Sequence, residues 1–153
     1  MGTDIVDILV AKHRTRDPFE LAAAMGRIIV IVPLIDVRGF YQYIKRSHII
    51  YLSDKLDDPE RSLVCAHELG HSILHTKTNA VFLDSRTHFV TAKYEDEADR
   101  FAMGLVFSDD KFYEYLYMPI SDIARALGVT DKMVTCRLQM VQLGMRNAES
   151  MTP

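Results

Sequence analysis

Apolar positions along this chain change their period several times, and each change marks an element. Near the start, Asp4 stands in a capping position ahead of Ile5, Ile8, Leu9 and Lys12, which fall on one side of a helix. Asp17-Pro18-Phe19-Glu20 then supplies a cap, a proline at the first helical position and a glutamate at the third, and Gly26 ends that helix. The apolar run 28–32 is β-branched and predicts a strand. Segments 41–44 and 48–52 flank the polar Lys45-Arg46-Ser47 and predict strand, hairpin, strand. Asp58-Pro59-Glu60-Arg61 repeats the cap-and-proline signature and launches a helix over 59–75.

A helical period returns over 94–107, and Ser108 with Asp109 and Asp110 opens a short helix around 112–117 that Met118-Pro119 breaks. Residues 121–127 and 130–143 read as two helices around a turn at Gly128. This order predicts an α+β fold: a small three-stranded sheet packed on helices, followed by C-terminal helix-turn-helix-like helices. The expected organisation is one domain over 1–108, a helical extension over 109–147 and a flexible tail over 148–153.

Composition narrows the function classes. The length of 153 residues suits one domain, and 48% apolar with 25% charged residues is enough for a continuous core. A net charge of −3 gives no global attraction to nucleic acid or to an anionic membrane. No apolar run approaches the ~20 residues that span a bilayer. The first ten residues lack a basic region and a cleavage site. Cys65 and Cys136 sit in helical segments and form neither a disulfide framework nor a thiolate zinc site. The expected location is the cytoplasm. Six histidines against two cysteines is the count that asks for an explanation.

Within the helix over 59–75 stands His67-Glu68-Leu69-Gly70-His71, an H-E-x-x-H. On a helix, i and i+4 lie about 40° apart and one turn along the axis, so both imidazoles can reach one ion. Glu68 falls roughly 100° round from His67, beside that ion, where its carboxylate can take a proton from water. Composition predicts about 0.01 such matches by chance. The helix is apolar on two sides, and burying two histidines with a glutamate is costly unless something satisfies them. A metal does so; the alternative is a pair of core histidines bonded to carbonyls.

A catalytic zinc usually takes a third protein ligand. His75 continues the series but stands about 12 Å along the axis from His67, too far to share the ion. It reads instead as a residue supporting the ligands by hydrogen bonding, or as an exposed helix end. In Tyr94-Glu95-Asp96-Glu97-Ala98-Asp99, the apolar stripe of Ala98, Phe101, Ala102, Leu105 and Val106 places Glu95 and Asp99 on or beside the buried face. Asp96 and Glu97 point away and read as solvated surface. Glu95 is the candidate third ligand, and Asp99 a candidate acceptor for the Nδ1 proton of His67 or His71. The alternative is that both acids merely favour the start of the helix dipole.

These residues resemble the ImmA/IrrE family of small zinc metallopeptidases. The likeness extends to Asp17-Pro18-Phe19-Glu20-Leu21-Ala22 with Gly26, to Gly39-Phe40-Tyr41, to the stretch from Ala66 to His75, and to Glu95-x-x-Ala98-Asp99-x-Phe101-Ala102, in the family's order. It covers residues 15–107 well and the C-terminal helices more loosely. The resemblance implies a minimal thermolysin-like zincin in which His67, His71 and Glu95 bind Zn2+ and Glu68 is the catalytic base. Relatives commonly carry Asn where this chain has Asp99. The resemblance also implies cleavage of a helix-turn-helix repressor that silences mobile-element, phage or stress genes.

By analogy with zincins, an edge strand would hold the substrate backbone, and His48, Ile49, Ile50, Tyr51 and Leu52 are the candidates. Tyr94 and His88 are candidate transition-state donors. In the C-terminal helices, Lys132 and Arg137 are candidate contacts to DNA or a partner, but two net positive charges over 121–146 make a thin phosphate footprint. Packing onto the peptidase, or docking a repressor partner, is preferred over DNA. The competing function is a non-proteolytic, metal-stabilised binding module acting through these helices.

Overall fold

The computed structural model describes residues 4–76 and 88–150, the side chains of 88–90, 147 and 148 excepted. Two compact units divide the chain, Met1–Val106 and Phe107–Pro153. Among the described residues, no helix is long and apolar enough to cross a membrane.

The first unit begins with two capped helices. In α1 (Ile5–His13) the Asp4 carboxylate accepts from the Val6 amide, and in α2 (Pro18–Ala24) Asp17 accepts from Phe19. The buried positions of α1 are Val6 and Leu9, while Ile5 and Ile8 are exposed. Of the expected stripe Leu9 does pack, but its buried partner is Val6 and not Ile5 or Ile8. On nine residues the i, i+3 pairs 5/8 and 6/9 are equally apolar, so the period alone cannot choose between them.

Strands β1 (Ile28–Val32), β2 (Gly39–Ile44) and β3 (Ser47–Ser53) form a sheet in the order β1-β3-β2. The β2–β3 hairpin turns on Lys45 and Arg46, both at positive φ, as a two-residue turn that follows the strand twist requires. Strand β1 pairs parallel to β3, with Ile28 opposite Ile49. The expected substrate edge, His48 to Leu52, is thus corrected: β3 is the central strand, and both its hydrogen-bonding edges are already paired. Its apolar residues alternate in burial, Ile50 and Leu52 at 0% exposure and Ile49 and Tyr51 half-buried, so one face packs on the core and nothing in the run itself marks it as central. His48 is also engaged, its Nδ1 lying 2.6 Å from the Tyr41 hydroxyl.

Helix α3 (Asp58–Leu74) packs on β2, β3 and α2. Its cap is Asp57 rather than the expected Asp58. The Asp57 carboxylate accepts from the Glu60 amide and Glu60 accepts from the Asp57 amide, a reciprocal box. The opposite flank of α3 is taken by α4 (His88–Val106), which buries Ala98, Phe101, Ala102, Met103 and Leu105. Helix α4 starts six residues before the expected position. Where its first turns meet the expected start, Ala92 and Lys93 are exposed.

In the second unit, Ser108 caps α5 (Asp109–Tyr113), and α6 (Ile120–Leu127) ends at Gly128 in the left-handed region. Helix α7 (Asp131–Ser150) follows, and Phe112, Ile123, Ala124, Val134 and Val141 are buried. The α6–turn–α7 arrangement is helix-turn-helix-like. Two expectations are corrected here. The helix runs seven residues beyond 143, so 148–150 are helical rather than tail: no proline interrupts the segment before Pro153, and a single glycine is tolerated. Arg137 is 3% exposed, and its guanidinium donates to the Phe107 carbonyl and the Asp109 carboxylate. It pins this unit internally and does not reach outward to DNA or a partner.

The cap of α3 should be measurable in the stability of the whole unit. Replacing Asp57 with Ala should lower unfolding free energy by about 0.5–2 kcal/mol, read from the denaturant midpoint. An unchanged midpoint would show that packing alone sets the start of α3.

Candidate metal centre

Helical spacing on α3 places the rings of His67 and His71 edge to face, 4.8 Å between centroids, with their Nε2 atoms 3.2 Å apart. Glu95, from α4, spans the pair: Oε2 is 3.0 Å from His67 Nε2 and Oε1 is 2.9 Å from His71 Nε2. Among the described residues these three form a group able to hold a metal ion, with ligand atoms all within 4.8 Å of one another. Asp99, one turn beyond Glu95, accepts from His67 Nδ1 at 2.8 Å. An ionised carboxylate only accepts, so His67 donates from Nδ1 to Asp99 and from Nε2 to Glu95; a metal at the shared point would take the place of the Nε2 hydrogen, with Asp99 keeping the one on Nδ1.

His75 does not join the ligand atoms. Its Nδ1 lies 3.0 Å from His71 Nδ1, and its Nε2 donates to Glu97 at 2.8 Å. Tyr94 stacks on the His75 ring at 4.1 Å. The surface assignment of Glu97 is therefore corrected. A wheel angle reports where Cα–Cβ points, whereas a glutamate side chain reaches round the helix, and here it finds a buried imidazole one turn past His71. No feature of α4 alone could have shown this; only the fact that His75 needs a partner hinted at it. The side chain of His88 lies outside the described residues.

The electrostatics agree with a demand for positive charge. Burial opposes a charge on His67, yet the bonds to Asp99 and Glu95, with Glu68 nearby, outweigh it and push its pKa up to about 10. The bonds from His67 and His71 hold the Glu95 carboxyl well below the usual carboxylate range, against the effect of its burial. Glu68 is buried, and desolvation raises its pKa although His67 and His71 pull the other way. Burial pushes the Cys65 thiol up to about 12, which makes it an inert packing residue.

The donor set fits a zinc ion. Two ligands on a tetrahedral ion at about 2.05 Å stand about 3.3 Å from one another. The two Nε2 atoms, 3.2 Å apart, are close to that value, each has a different Glu95 oxygen within 3.0 Å, and two imidazole nitrogens with a carboxylate is a common catalytic zinc set.

Comparison with known proteins points the same way. Residues 28–139 match the Peptidase_M78 family, described as the IrrE N-terminal-like domain. The matched stretch reaches beyond 107 into α7, further than the motifs alone. An uncharacterized immunity region protein 2 of Bacillus phage phi105 is 38% identical over 129 residues, covering 81% of this chain and 80% of that protein. Metallopeptidase ImmA of Bacillus subtilis (strain 168) is 26% identical over 113 residues, covering 72% of this chain and 66% of that protein.

The distance from α4 to the histidines is set where Gly70, between them, meets Phe101. A Cβ on Gly70 would stand 3.1 Å from Phe101 Cδ1 and 3.2 Å from its Cβ and Cγ, and Phe101 is 2% exposed. In Gly70→Ala, overpacking of about 1–3 kcal/mol should exceed the roughly 1 kcal/mol gained in helix propensity, for a net loss of about 1 kcal/mol by denaturant unfolding. A raised midpoint would mean that the ring gives way freely.

Proposed function

The chain belongs to the IrrE N-terminal-like domain family, and we propose that it acts as a zinc-dependent endopeptidase whose substrate is a helix-turn-helix repressor. The observation that carries this reading is the convergence of His67 Nε2, His71 Nε2 and the Glu95 carboxylate on one point, with Glu68 buried on the same helix. A peptidase role is what the family supports.

In this reading His67, His71 and Glu95 hold the ion. Zinc, when bound, supplies Lewis acidity that polarises a carbonyl and makes water a usable nucleophile near neutral pH. The Glu68 carboxylate takes the proton of the attacking water and delivers it to the leaving amine. Its raised pKa suits a group that must accept that proton and then release it. Asp99 keeps the His67 ring turned so that Nε2 faces the centre.

A substrate backbone would add to the free edge of β2, since β3 is paired on both sides. Val64 of α3 lies against Gly39 at the start of β2, and Glu68 stands one helical turn further along the same helix. The repressor class follows from the ImmA/IrrE resemblance, and a relative named for a phage immunity region supports it. With Arg137 held inside the second unit, a protein partner is favoured over DNA for the C-terminal helices. We place the protein in the cytoplasm, where such repressors act.

The test uses a candidate helix-turn-helix repressor as substrate. Wild type should bind zinc and cleave it. Glu68→Gln should keep zinc and lose at least about 10²-fold in cleavage rate, and Glu95→Ala should lose zinc. Cleavage by Glu68→Gln at the wild-type rate would sink the mechanism, and zinc retention by Glu95→Ala would move the third ligand elsewhere.

A further inference from the structure

Of the polar groups near the centre, the buried His75 and the half-exposed Glu97 have no part in the chemistry above, yet they form a continuous chain to it. Glu97 Oε2 is 2.8 Å from His75 Nε2, and His75 Nδ1 is 3.0 Å from His71 Nδ1. We propose that Glu97, acting through His75, is a positioning residue that fixes which nitrogen of His71 is presented to the metal. The inference rests on the zinc reading of the centre.

Proton accounting carries it. A carboxylate cannot donate, so the His75 nitrogen facing Glu97 carries the hydrogen. With one proton on that ring, His75 Nδ1 is a lone pair. The hydrogen between the two Nδ1 atoms therefore belongs to His71. His71 Nε2 meets Glu95 and His67 Nε2 at one point; an ion held there would take the place of the hydrogen that Nε2 gives Glu95, and His71 must then present Nε2 as a lone pair and keep its one hydrogen on Nδ1, where His75 accepts it. Asp99 does the same for His67 in a single bond. The His75 ring cannot turn freely to exchange its nitrogens: it is 5% exposed, and Tyr94 covers its face at 4.1 Å with a 27° tilt. One helix, α4, thus supplies the third ligand and the carboxylates that orient both histidines, Glu95, Asp99 and Glu97.

Zinc affinity measured by competition with a chelating dye tests this, with the His71 ring followed by 15N NMR in the zinc-loaded protein. Glu97→Ala should weaken zinc about tenfold, the scale of losing a group that orients a ligand, and should lose the protected Nδ1–H signal of His71. Glu97→Gln, whose amide oxygen still accepts from His75, should stay close to wild type in both. Lys93→Ala, which removes only the 3.9 Å surface pair to Glu97, should change neither. Wild-type affinity in Glu97→Ala would overturn the proposal, as would equal losses in the Gln and Ala variants, which would assign the effect to charge rather than orientation. Absence of zinc binding in the wild type would instead remove the zinc reading, and this inference with it.

Discussion

The close contact of α3 with α4, with Phe101 seated against Gly70, determines how far Glu95 stands from His67 and His71. Every other feature of the centre depends on that contact. Two imidazoles one helical turn apart face the same way because of the helix pitch, but only the second helix brings carboxylates to both nitrogens of His67 and to Nε2 of His71, with Glu97 reaching the other side of His71 through His75. The sheet supports α3 from its other flank, so the site is built between two rigid surfaces rather than on loops. The arrangement is electrostatically demanding although Glu95 is half-exposed: carboxylates around two histidines, one of them buried, favour a cation, and the raised pKa of His67 expresses the same preference.

How much of this was legible in the sequence depended on whether the information was local. The H-E-x-x-H spacing and the stripe of α4 are periodicities within single helices, so His67, Glu68, His71, Glu95 and Asp99 stood out before any coordinates. The cap of α3 was misplaced by one residue because Asp57 and Asp58 are chemically equivalent, and only the bond from Glu60 distinguishes them. Strand order was not legible. Whether β3 lies at the edge depends on where β1 docks, and its parallel pairing leaves no turn signature. Glu97 and Arg137 were misread for a related reason: each is a polar side chain whose partner lies on another element, His75 for one and the Phe107 carbonyl for the other.

The same distinction separates the two units. In the first, buried polar groups converge on a chemical centre. In the second they serve architecture: Arg137 ties α7 to Phe107 and Asp109, and its guanidinium lies 5.5 Å from the Phe112 ring. A helix-turn-helix-like outline is thus present without the arginine that seemed best placed to touch phosphate or bases. The outline alone does not assign DNA binding, because recognition depends on which side chains face outward.

The central claim is that α3 and α4 together make a metal site from His67, His71 and Glu95. The most direct measurement is anomalous diffraction at the zinc edge from crystals of zinc-loaded protein. The account expects one strong peak about 2.0–2.2 Å from His67 Nε2, His71 Nε2 and a Glu95 oxygen. A peak elsewhere, or none at that position after loading, would contradict it.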